Sequence, residues 1–350
     1  MRRKHILVIG SNFAGFTAAS ELKEKLCQQH DVTVISKTDQ FLFTPSLIWI
    51  PFGLRTRDDI TFDVRAPLEQ RGIRFRLDEV TRLDLARRSV MTRSGPEQYD
   101  YLVIATGPKP NYGAVPGLGP RGYTQSITSL AEAEMARTAD QRFLAAPGPV
   151  VVGSVQGAAC VIAAYEFLFS MACELRKAGL ADKVPLTYLT GEPCLAHFRA
   201  GGFDSATEVA ERFLDKLQIR AVTGAAVRRI LPGEIHLADG QSLPFAYAML
   251  VPPFLGVDAV RACDRITTAS GFVRVNPYCQ SDAYPEVFAA GAAVAIEQSG
   301  PPVSPEDMAK LVAHNIAARI AGQEMTALAP LAPSAPPRAH RGSRAPATGV

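Results

Sequence analysis

Cys160 stands just after a glycine turn, at the start of an apolar run with helical spacing that continues to about residue 178. At such a place unpaired backbone N–H groups and the helix dipole favour a thiolate, so this thiol is expected to ionise below the ordinary range. A thiolate there can act as a nucleophile or a redox sulfur; a small apolar residue packing a helix onto a sheet is the alternative reading. A second site of potential chemistry lies near the N-terminus. Gly10-Ser11-Asn12-Phe13-Ala14-Gly15 occupies the place of a GxGxxG turn, whose N–H groups and following helix can receive a pyrophosphate. Its middle glycine is Asn12, which tolerates left-handed backbone better than most residues but narrows the approach to a phosphate. Where a carboxylate would read a ribose, at the end of the next strand, the chain has Ser36 and then Lys37. Ser36 can still make one hydrogen bond to a ribose hydroxyl; Lys37 can meet a phosphate or remain a solvated lysine.

These residues need elements to position them. His5–Ile9 is a short apolar run, residues 14–26 carry Phe16, Ala19, Leu22 and Leu26 at helical spacing, and Asp31–Ser36 is rich in β-branched residues. This is a βαβ unit of about thirty residues, the context a glycine turn needs to be believed. The pattern returns about 140 residues later: Val150-Val151-Val152-Gly153, a helix over roughly 158–178, and a strand over 184–189. The internal repeat is the main organisational fact. A strand ending in Ala105-Thr106-Gly107 and a proline-rich link separate the two units. A strand ending at Gly291 and a helix over 305–321 follow the second. Beyond about residue 326 the chain is rich in Pro, Ala and Arg, which predicts a disordered tail.

At 350 residues the chain can form two domains. A net charge of +3 is too small to argue for nucleic acid or for broad attraction to anionic lipid. The six cysteines form no CxxC pair and no zinc spacing, so no metal site is expected and reduced thiols in a cytosolic compartment are the default. Met1-Arg2-Arg3-Lys4 followed by Ile6-Leu7-Val8-Ile9 resembles a signal peptide only until Gly10 ends the apolar run. No run of about eighteen apolar residues exists, so no spanning helix is expected.

Several segments together resemble the sulfide:quinone oxidoreductases and the flavocytochrome c sulfide dehydrogenase flavoproteins. Phe41-Leu42-Phe43-Thr44-Pro45-Ser46-Leu47-Ile48-Trp49 is similar to that family's F-x-F-x-P-S-x-x-W stretch, and Ala105-Thr106-Gly107-Pro108-Lys109 to its A-T-G-P-K. Gln156-Gly157-Ala158-Ala159-Cys160, followed by Ala164-Tyr165-Glu166-Phe167, resembles its Q-G-A-S-C and A-Y-E-F. Val115-Pro116-Gly117, Tyr284-Pro285-Glu286-Val287-Phe288-Ala289-Ala290-Gly291 and Ala313-His314-Asn315 also fit, so the resemblance covers roughly residues 4–322.

The resemblance implies an α/β chain with two Rossmann-like dinucleotide-binding domains in the glutathione reductase-like FAD/NAD(P) arrangement, the second inserted in the first. The expected bounds are 1–115 and 267–325 for the FAD-binding domain, 116–266 for the insert and 326–350 for the tail. It implies FAD, with the pyrophosphate at Gly10, Ser11, Asn12, Phe13, Ala14 and Gly15, the ribose near Ser36 and Lys37, and an adenine contact near Val80. Pro45, Ala105, Thr106, Gly107, Gly291 and Ala292 would surround the flavin end. Ala292 stands where many FAD enzymes have an Asp, which the resembling family often lacks too. Cys160 would be a redox cysteine close to the isoalloxazine ring.

The departures matter as much. A further family cysteine follows Ser-Ile in the stretch matching Ser126-Ile127, but this chain has Thr128; another belongs to a C-terminal segment absent here. The family has a histidine at the position of His197, and Cys194 nearby could substitute for a missing thiol or be a loop cysteine of no consequence. Glu166 could relay protons or simply pair with a neighbour.

The expected function is an FAD-dependent oxidoreductase passing electrons from sulfide, or another small sulfur nucleophile, through Cys160 and flavin to a quinone or other acceptor. A non-catalytic FAD-binding relative and a type II NADH dehydrogenase-like enzyme are the alternatives. The second turn is not GxGxxG, which argues against tight nicotinamide binding. The expected location is cytoplasmic, with membrane contact at most peripheral; the apolar stretch 41–52 is expected to be buried beside the flavin, with contact to lipid as the alternative.

Overall fold

The computed structural model describes residues 2–197, 206–295 and 303–328. Two parallel sheets organise the chain. The first begins with β1 (His5–Ile9), α1 (Phe13–Lys25) and β2 (Asp31–Ser36), and continues with β3 (Arg74–Leu77) and β4 (Tyr101–Ile104). The chain then leaves this sheet. Helix α2 (Leu130–Ala145) leads to β5 (Val150–Ser154), α3 (Val161–Lys177), β6 (Leu186–Leu189), α4 (Ala206–Lys216), β7 (Arg220–Val222) and β8 (Tyr247–Val251), which build the second sheet. Finally β9 (Val287–Ala289) returns to the first sheet, and α5 (Pro305–Ala321) covers it.

The first sheet runs β9-β4-β1-β2-β3 and the second β7-β6-β5-β8. All their pairings are parallel; Ile6 faces Val32 on one side and Tyr101 on the other. Helices cover parallel sheets, so their strands are apolar on both faces, and Leu7, Val8, Val150 and Val152 are fully buried. In each sheet the strand before the glycine turn lies between strands reached by opposite crossovers. That is the switch point where doubly wound sheets receive ligands.

Helix α1 buries Ala14, Ala18, Ala19 and Leu22, and α5 packs along it with Met308, Val312 and Ile316. Each fully buried large aliphatic side chain contributes about 1.5–3 kcal/mol. Ser304 caps α5 by accepting from the Asp307 N–H at 3.0 Å, and Gly322, at φ 71°, ends it. The outgoing link Pro108–Pro110 pairs antiparallel with the incoming Phe254–Gly256.

Two expectations change here. The predicted helix over 158–178 begins only at Val161. The tail expected from residue 326 is anchored through 328: Asn315 bonds both the N–H and the C=O of Thr326, and the Leu328 N–H reaches Pro277 O at 2.7 Å. Residues 329–350 lie outside the described residues.

Candidate active site

The first turn closes tightly. Gly10 has φ 104°, and a Cβ there would meet Ala105 O at 2.3 Å; one on Gly15 would meet Gly10 O at 2.0 Å. Only glycine fits either place. A Cβ on Gly291, at φ 68°, would lie 2.8 Å from Ala14 Cβ. Gly10, Ala14, Gly15, Ala105 and Gly291 are thus brought into one cluster, which joins residues that the sequence reading assigned to the pyrophosphate and to the flavin end.

Asn12 departs from expectation. Its backbone is extended, with φ −89° and ψ −164°, not left-handed. Its side chain is held by the Leu42 N–H, which donates to Oδ1 at 3.2 Å. The carbonyl of Asn12 takes the first helical bond, from Phe16. No side chain caps α1 and no acidic residue occupies its first turn. The N–H groups of Phe13, Ala14 and Gly15 are therefore left to a phosphate. This donor set and the glycine clearances fit the pyrophosphate of FAD.

Ser36 is buried. Its hydroxyl oxygen accepts from Ser11 Oγ at 2.9 Å and from the Thr38 N–H at 3.4 Å, leaving only its own O–H for a ribose. Lys37 is exposed. Val80 opens the strand Val80–Asp84 and is half-buried. Thr106 and Gly107 follow β4 half-buried, and Ala292 is exposed beside Gly291. Pro45 sits exposed in the 3-10 turn Thr44–Trp49. That segment wedges against the second sheet's helices: Leu47 and Ile50 pack with Ala133 of α2, and the Phe52 and Phe167 rings lie 4.9 Å apart. Of the apolar stretch 41–52, Leu47, Ile48 and Ile50 are buried, while Phe43 and Trp49 remain exposed.

Cys160 is the N-cap of α3, exposed, at φ −105° and ψ 61°. The expected fall in its thiol pKa is overturned: the pKa is raised. Partial removal from water is the largest cause; a hydrogen bond to the Ala163 backbone pulls the other way, and Glu166 adds a smaller repulsion that raises it again. The late helix start has a cause that sequence reasoning missed. The Gln156 side chain is clamped to Val227, donating to its C=O at 3.0 Å and accepting from its N–H at 2.9 Å. With Gly157 at φ 78°, this holds residues 156–159 out of the helix.

Thr128 stands in a hydroxyl network. Tyr112 Oη donates to Ser126 Oγ at 2.7 Å; Thr128 and Ser126 donate to Glu132 Oε2 at 2.5 and 3.0 Å. The Tyr112 phenol is pushed up to about 12, chiefly by burial. Gln125 bridges in parallel to Met249 of β8. The sequence 126–128 therefore runs out towards the C-terminal end of the second sheet's strands, the end at which the turn leading to Cys160 also lies. Glu166 is exposed on α3, and Cys194 and His197 lie together in the loop after β6, with Sγ and Nδ1 3.7 Å apart.

A family model described as "Pyridine nucleotide-disulphide oxidoreductase" matches residues 4–314. The fold and site define an FAD-dependent oxidoreductase with Rossmann-like sheets, and the chain belongs to the pyridine nucleotide-disulphide oxidoreductase family. It is similar to the sulfide-quinone reductase of Aquifex aeolicus, 33% identical over 337 residues, covering 89% of this chain and 76% of the relative. The crystal structure of the Aquifex aeolicus sulfide:quinone oxidoreductase superposes with a TM-score of 0.85, over 91% of this chain and 77% of that one. A type II NADH:quinone oxidoreductase of Mycobacterium tuberculosis, NdhA, is 35% identical over 115 residues, 31% of this chain and 24% of the relative. Among the described residues no helix is long and apolar enough to cross a membrane.

Proposed function

We propose that this protein oxidises sulfide, or another small sulfur nucleophile, at Cys160 and passes the electrons to a quinone or another acceptor. The observation that carries the reading is the placement of Cys160. It caps the helix that the Pro45 segment packs against, in a chain one-third identical to a sulfide-quinone reductase along most of its length.

Hydrosulfide and the Cys160 thiolate join through a new S–S bond, leaving a persulfide and releasing one proton and two electrons. When bound, FAD supplies the acceptor for that electron pair. The uncapped N–H groups of Phe13, Ala14 and Gly15, with Gly10, Ser11 and Asn12, hold its pyrophosphate. Ser36 and Lys37 meet the ribose end and Val80 the adenine. Pro45, Ala105, Thr106, Gly107, Gly291 and Ala292 shape the space for the ring. Because Cys160 is raised, hydrosulfide meets mostly thiol at neutral pH, and the step quickens as pH rises. We further propose the domain bounds given by the sequence, with 116–266 as the insert. A cytoplasmic location with at most peripheral membrane contact fits six free thiols and the exposed Phe43 and Trp49.

Anaerobic titration with sulfide, followed by flavin absorbance, tests the reading. Bleaching is expected in the parent and not in Cys160→Ala; a flavin that stays oxidised in both rejects it. The partial match to type II NADH:quinone oxidoreductases favours a second reading, in which NADH is the donor. Rapid mixing with NADH separates the two, since such an enzyme is reduced within seconds. A non-catalytic flavoprotein is favoured by Thr128 and by the raised Cys160; turnover with any sulfur donor and acceptor dismisses it.

A further inference from the structure

A persulfide on Cys160 must hand its outer sulfur onward, and the position that resembles a second family cysteine is Thr128, whose hydroxyl is committed to Glu132. The other five thiols are not equally placed. Cys27 follows α1, where its sulfur meets only the carbonyls of Glu24 and Lys25. Cys263 and Cys279 belong to the core of the first sheet. Cys173 lies thirteen residues along α3 from Cys160, about 20 Å at the helical rise. Cys194 alone sits in a segment that touches the start of α3.

That contact is made on both sides of Cys160. Gly191 presses on the turn before it, where an added Cβ would come 3.0 Å from Gln156 Cα. Five residues after Cys160, Tyr165 Oη accepts from the Ala196 N–H at 2.8 Å and donates to Glu192 Oε2 at 3.3 Å. Glu192 is further held by Thr190 Oγ1 at 3.1 Å. Ala196 adopts a left-handed φ of 55°, which folds the loop back on itself. The fold-back brings the His197 imidazole to Cys194, Nδ1 to Sγ 3.7 Å. Thr207 Oγ1 flanks the same sulfur at 3.7 Å and is anchored on Leu195 O at 2.9 Å. Cys194 is half-buried and His197 exposed, so the sulfur is positioned and the base has access to water.

We propose that Cys194 and His197 form a thiol–imidazole pair that takes the sulfane sulfur from Cys160, resting on the reading of Cys160 given above. His197, with its ring proton on Nε2, accepts the Cys194 proton at Nδ1. The Cys194 sulfur attacks the outer sulfur of the Cys160 persulfide. One S–S bond forms and one breaks; Cys160 leaves as a thiolate and regains a proton. The transfer involves no net oxidation, so it needs no further oxidant.

Two measurements on the full chain test this. The first needs no flavin chemistry. The six thiols are alkylated competitively with iodoacetamide and quantified by peptide mass mapping. Cys194 is expected to react faster than the exposed Cys27, and His197→Asn to slow it about tenfold or more. Cys194 reacting at the same rate in parent and His197→Asn overturns the pair. The second measures peptide masses after one equivalent of sulfide under anaerobic conditions. One added sulfur is expected on the Cys194 peptide in the parent, and on the Cys160 peptide in Cys194→Ser. Sulfur found on Cys160 alone in both overturns the transfer. A parent whose flavin is not bleached by sulfide rejects the function of Cys160, while the alkylation result still decides the pair.

Discussion

The two glycine turns start from the same strand–turn–helix plan and end as different devices. At the first, Gly10 and Gly15 press backbone against backbone, and the helix behind them begins without a cap or an acidic side chain. At the second, Gly153 is equally constrained, since a Cβ would fall 1.8 Å from Leu189 O. There, however, Gln156 pulls the following residues towards Val227, and the helix opens on a cysteine. One turn leaves N–H donors for an anion; the other presents sulfur. The comparison teaches that a repeated supersecondary unit takes its chemistry from the few residues between glycine and helix.

The sharpest test of that contrast is the ionisation of Cys160. If removal from water and Glu166 outweigh the helix end, its alkylation rate climbs about tenfold per pH unit and does not level off near pH 8.5. A plateau near neutral pH would break the contrast, because the second turn would then be stabilising an anion like the first. Asp140 of α2 gives the next largest effect. It is buried, and burial, with Glu174 adding repulsion, lifts its carboxyl to about 6. A raised carboxyl favours the folded state fully below its unfolded value near 3.9, and that contribution disappears as pH rises through about 6. Asp140→Asn should therefore gain roughly 3 kcal/mol over the parent at pH 8 and almost nothing at pH 4, read from Tm at both pH values.

On the cofactor side, Gly15→Ala should weaken FAD retention by about 100-fold, or roughly 2.7 kcal/mol. Equilibrium dialysis measures it; FAD affinity equal to the parent would mean the tight closure of the first turn is not what holds the phosphate. The smallest effect is expected from Gln156→Leu, which leaves the Val227 N–H and C=O without side-chain partners at a cost of about 1 kcal/mol. A lowered denaturation midpoint with an unchanged slope checks it.

Much of the scaffold was legible locally. Strands β1 and β2 and helix α5 fall where the apolar run, the β-branched residues and the helix expected over 305–321 place them. What escaped depends on partners far along the chain. The late start of α3 is set by Val227, seventy-one residues from Gln156. The extended Asn12 is set by Leu42, and the ordered start of the tail by Asn315. The sign of the Cys160 shift was missed because a helix-end argument weighs the dipole, while burial and Glu166 are visible only once the chain is folded. The tight glycine turn at Gly10 and Gly15 was legible because its requirement is steric and local; the Cys194–His197 contact was not, because it depends on how one loop doubles back.

The pairing of β4 with β9 has a consequence for synthesis. Ile104 leaves the ribosome 183 residues ahead of Val287, a delay on the order of 10–40 s at ordinary elongation rates. Throughout that interval the leading sheet exposes an apolar edge strand that invites pairing with another chain. Until Val287 to Ala289 are made, β4 keeps one side unpaired, and early folding of the intervening unit shortens the time that side stands open.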